Sequence, residues 1–164
     1  MLSQAMQDAL NEQINAELWS AYLYLSMSAH FESVNLPGMA KWMRVQTSEE
    51  YAHAVKFMDH IHDRSGKALL KPIAAVPTEW KSPLEAFEAT LKHEQKVTAR
   101  IHKLMDQAVA AKDHATAGML QWFVSEQVEE EANAIEIVNK LKMLADSKGA
   151  LYWLDHELGK RGAE

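Results

Sequence analysis

Apolar residues recur at spacings of three and four over four long stretches, and each stripe carries a carboxylate near its middle. The first stretch, about 3–32, places Leu10, Ile14, Glu17, Ala21 and Tyr24 on one face. Asn35-Leu36-Pro37-Gly38 reads as a turn, with Pro37 suited to the first turn of the next helix. The second stretch, about 37–64, carries Met43, Thr47, Glu50, His53, Ala54, Phe57 and Ile61 inward, and Ser65-Gly66 is its expected stop. Lys67 to Lys81 has no helical period and holds Pro72 and Pro77. A connection of about 15 residues spans up to about 50 Å, more than the roughly 42 Å of a helix of about 28 residues.

Ser82-Pro83-Leu84-Glu85 is a capping box with proline at the first helical position. The third stretch, about 83–111, aligns Phe87, Leu91, Glu94, Thr98, Ile101 and Met105. Asp113 is placed to cap the fourth, about 114–145, which aligns Leu120, Phe123, Gln127, Glu130, Ala134, Ile137 and Leu141. Gly149 is expected to break the chain before a short amphipathic helix, about 150–159, with Leu151, Leu154 and Leu158 on one side. Four long helices joined short, long, short make an all-α four-helix bundle with one long crossover. The short fifth C-terminal helix is one such a core does not need. Residues 1–164 are expected to form a single domain.

The levels of the interrupting residues follow by counting. Glu17 lies about 17 residues before the first turn, and Glu50 and His53 about 16 and 19 after it, so at about 1.5 Å per residue they share a depth. Glu94 and Glu130 each lie about 18 residues from the second turn. Two hairpins thus bring acids opposite one another at mid-bundle. Four carboxylates in an apolar core repel each other and lose solvation, so either protons or cations hold them. Glu50 and His53, one helical turn apart, add an imidazole. Carboxylate oxygens with one imidazole suit iron or manganese, as a pair sharing a bridging carboxylate. Tyr24, two turns from Glu17 on the same face, is placed to hydrogen-bond a ligand or donate an electron, and equally to be a core tyrosine.

Composition narrows the classes. Lys plus Arg is 17 against 23 Asp plus Glu, a net charge of −6, which argues against nucleic acid as the main partner and suits metal cations. The absence of cysteine excludes disulfides, zinc–thiolate sites and iron–sulfur clusters. Met1 to Gln13 has no signal-peptide pattern, and no apolar run is long enough to span a membrane, so the expected location is cytoplasmic. Glu129-Glu130-Glu131 is a charge run, and Glu131 reads as solvated. The methionines follow core spacing, and Trp122 reads as packing. His30, His60, His62, His93, His102, His114 and His156 read as surface residues.

Glu17, Tyr24, Glu50-x-x-His53, Glu94 and Gln127-x-x-Glu130, on four helices with a short tail, resemble the bacterial non-haem ferritins over essentially the whole chain. Asn11-Glu12-Gln13, Leu120-Gln121-Trp122 and Val124-Ser125-Glu126-Gln127 carry the same resemblance. Bacterioferritins and rubrerythrins have a second Glu-x-x-His where this chain reads Gln127-x-x-Glu130, and Tyr51 stands where a bacterioferritin carries its haem-ligating methionine. No haem is therefore expected. Mini-ferritins, which coat DNA, fit poorly.

The resemblance implies a first iron site of Glu17, Glu50 and His53 and a second of Glu50, Glu94 and Glu130. Glu50 bridges the two, and Gln127 lies near bound oxygen species. It implies a third iron station of Glu49, Glu126 and Glu129 with Glu130. It further implies a hollow homo-oligomer of 24 subunits that oxidises Fe(II) with dioxygen or hydrogen peroxide and stores a ferric mineral. In such cages the tail helix packs round the fourfold axis. The stretch Asp113 to Met119 has few of the acids that line threefold pores in many animal ferritins, which leaves the route of iron into a cage open. The same core also serves di-iron oxidases and peroxidases that store nothing. The lack of a second Glu-x-x-His and the presence of the tail helix count against that class.

Overall fold

The computed structural model describes residues 2–144 and 147–162. Five helices follow in order: α1 Gln4–Ser33, α2 Pro37–Asp63, α3 Pro83–Ala110, α4 His114–Leu144 and α5 Lys148–Leu158. Ala145, the expected end of the fourth helix, lies outside the described residues. Helices α1 and α2 form one hairpin and α3 and α4 the other. This is the four-helix bundle with a short fifth helix that the hydrophobic stripes lead to.

Local chemistry sets the ends. Ser3, Ser82 and Ser147 accept from the N–H groups of Met6, Glu85 and Ala150 and cap α1, α3 and α5. The Glu85 carboxylate closes its box one residue early, accepting from Lys81 N–H at 2.5 Å. Asp113 Oδ1 accepts from Thr116 N–H at the start of α4. Gly149 does not break the chain as expected. It lies in the first turn of α5, because Ser147 supplies the cap ahead of it. At the end of α2 the left-handed residue is Ser65, φ 58°, and not the neighbouring glycine.

Helix α2 has no side-chain cap of its own. Asp155 of α5 supplies it, accepting from Gly38 N–H at 3.1 Å and Met39 N–H at 2.8 Å. Gly38 is required there: a Cβ would lie 1.7 Å from the Asp155 carbonyl oxygen. The tail stripe therefore does have a partner inside the chain, against the sequence expectation. Leu154 is buried, and Leu151 and Leu158 pack on the same apolar cluster as Met39, Trp42 and Phe87. The side of α5 left exposed carries Tyr152 and Trp153.

The crossover climbs α1. Asn11 bonds the backbone of Lys67 and Leu69, Trp19 donates to Ala75 O, and Ser26 donates to Pro77 O. Two apolar clusters fill the bundle. One holds Met27, Phe31, Met43, Phe87, Leu141 and Leu154. The other holds Leu10, Ile14, Phe57, Ile101, Leu120 and Phe123, with Phe57 stacked on Phe123 at 4.1 Å. The polar layer at mid-helix separates them.

Candidate metal centre

Each helix delivers its mid-stripe acid to the interior. Glu17, Glu50, His53, Glu94, Gln127 and Glu130 are each 4% exposed or less. Among the described residues, Glu17, Glu50 and His53 form a group whose ligand atoms lie within 4.8 Å of one another. His53 Nδ1 is 3.6 Å from Glu50 Oε2, and Nε2 turns outward to Glu126 Oε1 at 3.9 Å. Glu17 Oε2 is buried with no hydrogen-bond donor. Its carboxylate neighbour, Glu50, offers it a hydrogen bond only when one of the two is protonated.

The electrostatics follow from this crowding. Burial, then the charge of Glu50, pushes the Glu17 carboxyl well above the usual range. Burial, then the charge of Glu94, does the same for Glu50. Burial and Glu94 raise Glu130 to about 7. Glu94 is raised by burial and pulled back by donors from Tyr24 and Gln127. Without a cation this layer holds protons at neutral pH. A divalent metal bound here would replace those protons and supply the partner that Glu17 Oε2 lacks. The donor set, hard oxygens and one imidazole nitrogen, fits iron or manganese.

Amides space the remaining ligands. Gln46 Nε2 donates to Glu130 Oε2 at 2.8 Å and to Glu50 Oε1 at 3.3 Å. Gln127 Nε2 donates to Glu94 Oε2 at 3.1 Å, and Tyr24 Oη donates to Glu94 Oε1. Gln13 Nε2 donates to Glu17 Oε1 at 2.7 Å. Each of the first-hairpin glutamines is turned by an arginine on its carbonyl oxygen. Arg100 donates to Gln13 at 3.0 Å, and Arg161 to Gln46 at 2.8 Å. An amide gripped this way must present its NH₂ to the carboxylate.

The sequence reading missed Gln13, Gln46 and both arginines. Gln13 and Gln46 each sit four residues before a candidate ligand acid on the same stripe, a Gln-x-x-x-Glu signal that was available in the sequence. Arg161 had no local signal.

The outer acids are arranged differently. Glu49, Glu126 and Glu129 are not gathered into one three-ligand group among the described residues. Glu126 faces His53, Glu129 is exposed, and Glu49 Oε2 accepts from Arg161 Nη2 at 2.5 Å. Other expectations change too. Glu131, expected in solvent, is half-buried and accepts from Thr98 Oγ1 at 2.5 Å. His93 is half-buried: it bonds Ser20 at 2.7 Å and lies beside Trp19 and Tyr24, and burial, then Lys96 and Arg100, lowers its pKa to about 4. His60 is half-buried against Thr116. Trp122 covers His53 from outside with Lys56 over its ring.

The ferritin-like domain family matches residues 7–144. The chain belongs to the ferritin family. This ferritin is 47% identical over 161 residues to the bacterial non-heme ferritin of Bacteroides fragilis strain 638R, covering 98% of this chain and 100% of the relative. It is 41% identical to the bacterial non-heme ferritin of Staphylococcus saprophyticus, covering 98% and 96%. An open pore ferritin from the hyperthermophilic archaeon Archaeoglobus fulgidus has a solved structure matching this one with TM-score 0.97 at 51% identity, over 98% of this chain and 99% of that one. Membership makes the chain an iron-binding, iron-storage protein. No described helix is long and apolar enough to cross a membrane.

Proposed function

We propose that this ferritin oxidises Fe(II) at a two-iron centre inside each subunit and deposits the product as ferric oxyhydroxide within a cytoplasmic cage of 24 subunits. The observation that carries the reading is the buried polar layer: four raised carboxylates, one imidazole and an orphaned Glu17 Oε2 between two apolar plugs. Iron is the substrate there. Glu17, Glu50 and His53 take one ion, and Glu50, Glu94 and Glu130 take the second, with Glu50 shared. Gln127 and Tyr24 hold Glu94 and face the position where the oxidant arrives. Glu49, Glu126 and Glu129, with Glu130, form an outer station toward which iron moves. No haem takes part.

The chemistry needs little beyond placement. Hard anionic oxygens stabilise Fe(III) over Fe(II). Two Fe(II) ions side by side give two electrons together, which with two protons take one dioxygen to hydrogen peroxide without a one-electron step, or one hydrogen peroxide to two waters. The glutamine donors keep the acids apart while the centre is empty and leave lone pairs free for metal.

Assembly is supported by exposed apolar side chains at two places, Tyr22 with Leu25 on α1 and Tyr152 with Trp153 on α5. The scarcity of acids at the start of α4 leaves the route of iron into the cage to other openings. The likeness to a ferritin described as open-pored supports wide openings for this role.

The test is an Fe(II) titration of the purified apoprotein under air, with ferric absorbance and particle size followed together. Rapid oxidation of two or three ions per subunit, then continued uptake into a large soluble particle, is the expected result. Oxidation that stops at two per subunit without mineral would instead make the chain a di-iron oxidase or peroxidase.

A further inference from the structure

Arg161 follows α5 and returns to the bundle. Its guanidinium lies 4.3 Å from the centre of the Trp42 ring. One nitrogen donates to Glu49 at 2.5 Å and another to Gln46 at 2.8 Å. A long flexible side chain is rarely held at three points without a gain that offsets its lost rotamers. Here the backbone is fixed as well. Asp155 ties the tail to the start of α2, and Gly162, with φ 70°, sits where a Cβ would lie 3.3 Å from Val45. The planar guanidinium thus arrives preorganised, with one edge on the outer acid and one on the amide that holds Glu50 and Glu130.

We infer that Arg161 is a tethered cation that fills the outer station at Glu49, so a metal ion reaching that station must displace it. The inference rests on the proposed function for the existence of that station. A fixed positive charge on Glu49 both cancels the acid and repels an arriving dication at contact distance, well inside the Debye length. The same arginine grips Gln46, so displacement at the outer station is felt by the amide that holds two inner ligands. Among the described residues, Glu126 and Glu129 have no such cation. The outer station is therefore asymmetric, closed on its α2 side and open on its α4 side.

The test uses the assembled, full-length apoprotein and Co(II) under anaerobic conditions, with calorimetry for affinity and visible absorption for coordination. Arg161→Met keeps an apolar stem against Trp42 and removes the charge. It is expected to tighten the third Co(II) per subunit at least about tenfold, an effect larger than any change in the two tighter ions, whose Gln46 amide loses one partner. Glu49→Gln in the Arg161→Met background should abolish that gain. Lys160→Met, which removes an equal charge one residue away from a pair with Glu157, should leave the third ion within about threefold of wild type.

A third-ion affinity unchanged or weakened in Arg161→Met would overturn the inference, as would an equal gain in Lys160→Met. Gel filtration and thermal unfolding confirm that each variant is assembled. Failure of the wild-type protein to bind any Co(II) would sink the proposed function instead, and the two failures are distinct.

Discussion

The inner and outer acids of this ferritin are built from the same residue type and solve the same problem in opposite ways. Glu17, Glu50, Glu94 and Glu130 are at most 4% exposed and lie among amides, a phenol, the His53 imidazole and each other. Glu49 has 39% of its side chain exposed and already holds a guanidinium. Buried acids with neutral neighbours must take up a proton or a metal, so their state depends on what the solution offers. A partly exposed acid with a fixed cation is preset. The inner layer is thus poised to exchange and the outer one to resist, a difference that any cation moving between them would meet.

The largest expected effect is on stability as a function of pH. Folding raises the four inner carboxyls above their unfolded values, Glu130 from 4.5 to about 7. The stability they contribute is fully present below the unfolded value of 4.5, where both states are protonated. It is lost as pH rises through the folded value near 7, because the native state must then give up protons that the unfolded chain has already lost. Glu130 alone accounts for on the order of 3 kcal/mol. Asp113 lies outside the window, because Arg64 helps lower it and its contribution fades only below its ordinary 3.8, whereas His93, lowered from 6.5 to about 4, opposes the trend as one group against four carboxyls. Calorimetry should find the metal-free protein less stable at pH 8 than at pH 5. Glu130→Gln should shallow that slope, and a bound dication should remove most of it. A metal-free protein equally stable at both pH values breaks the comparison.

Next is activity. Glu50→Ala removes the acid shared by both inner positions and should slow the first phase of Fe(II) oxidation at least about 100-fold, since even partners of ligands are worth 10–100-fold. Glu129→Ala, at the exposed outer edge, should slow it less than about threefold. Stopped-flow absorbance on cages of unchanged size measures both. Equal losses in the two variants would mean that the acids do not divide into two stations.

This division was only half legible in the sequence. The inner acids announce themselves because an ionisable residue on an apolar stripe violates the helical period, and residue counts place all four at one depth. The amides could have been read the same way, since Gln13 and Gln46 lie on those stripes too. Arg161 could not. It meets a residue 112 positions away in the chain, and only the docking of α5 brings it there. That docking was hidden for a physical reason. Helix periodicity marks a face as apolar without saying which neighbour covers it, so Leu154 looked like a residue for another subunit. The capping of α2 by Asp155 was hidden likewise, because caps are sought within a few residues of a helix start.

The tail gives a third, smaller effect. Asp155→Ala strips α2 of two hydrogen bonds at its N-terminus and should cost about 1–2 kcal/mol of stability. Loosening the tail also loosens Arg161. The variant should therefore tighten outer-station Co(II) binding in the direction of Arg161→Met while leaving the inner ions as they were. A loss of inner binding would show that the tail supports the whole centre rather than its outer edge.

The smallest effect tests how firmly the inner layer is held. Tyr24 is fully buried, donates to Glu94, and lies edge-on to His93. Burial and the charge of Glu94 raise its hydroxyl well above the usual range, so it remains a donor. Tyr24→Phe removes one of the two donors to Glu94, and Gln127 supplies the other. A single hydrogen bond contributes about 1 kcal/mol net, and a surviving partner reduces the loss. The variant should oxidise the first two irons within about threefold of the wild-type rate. A much larger loss, with Co(II) affinity unchanged, would mean that Tyr24 supplies an electron and not merely a hydrogen bond. The inner station would then contain a redox group for which the outer has no counterpart, and the contrast between the two would be one of chemistry as well as of charge.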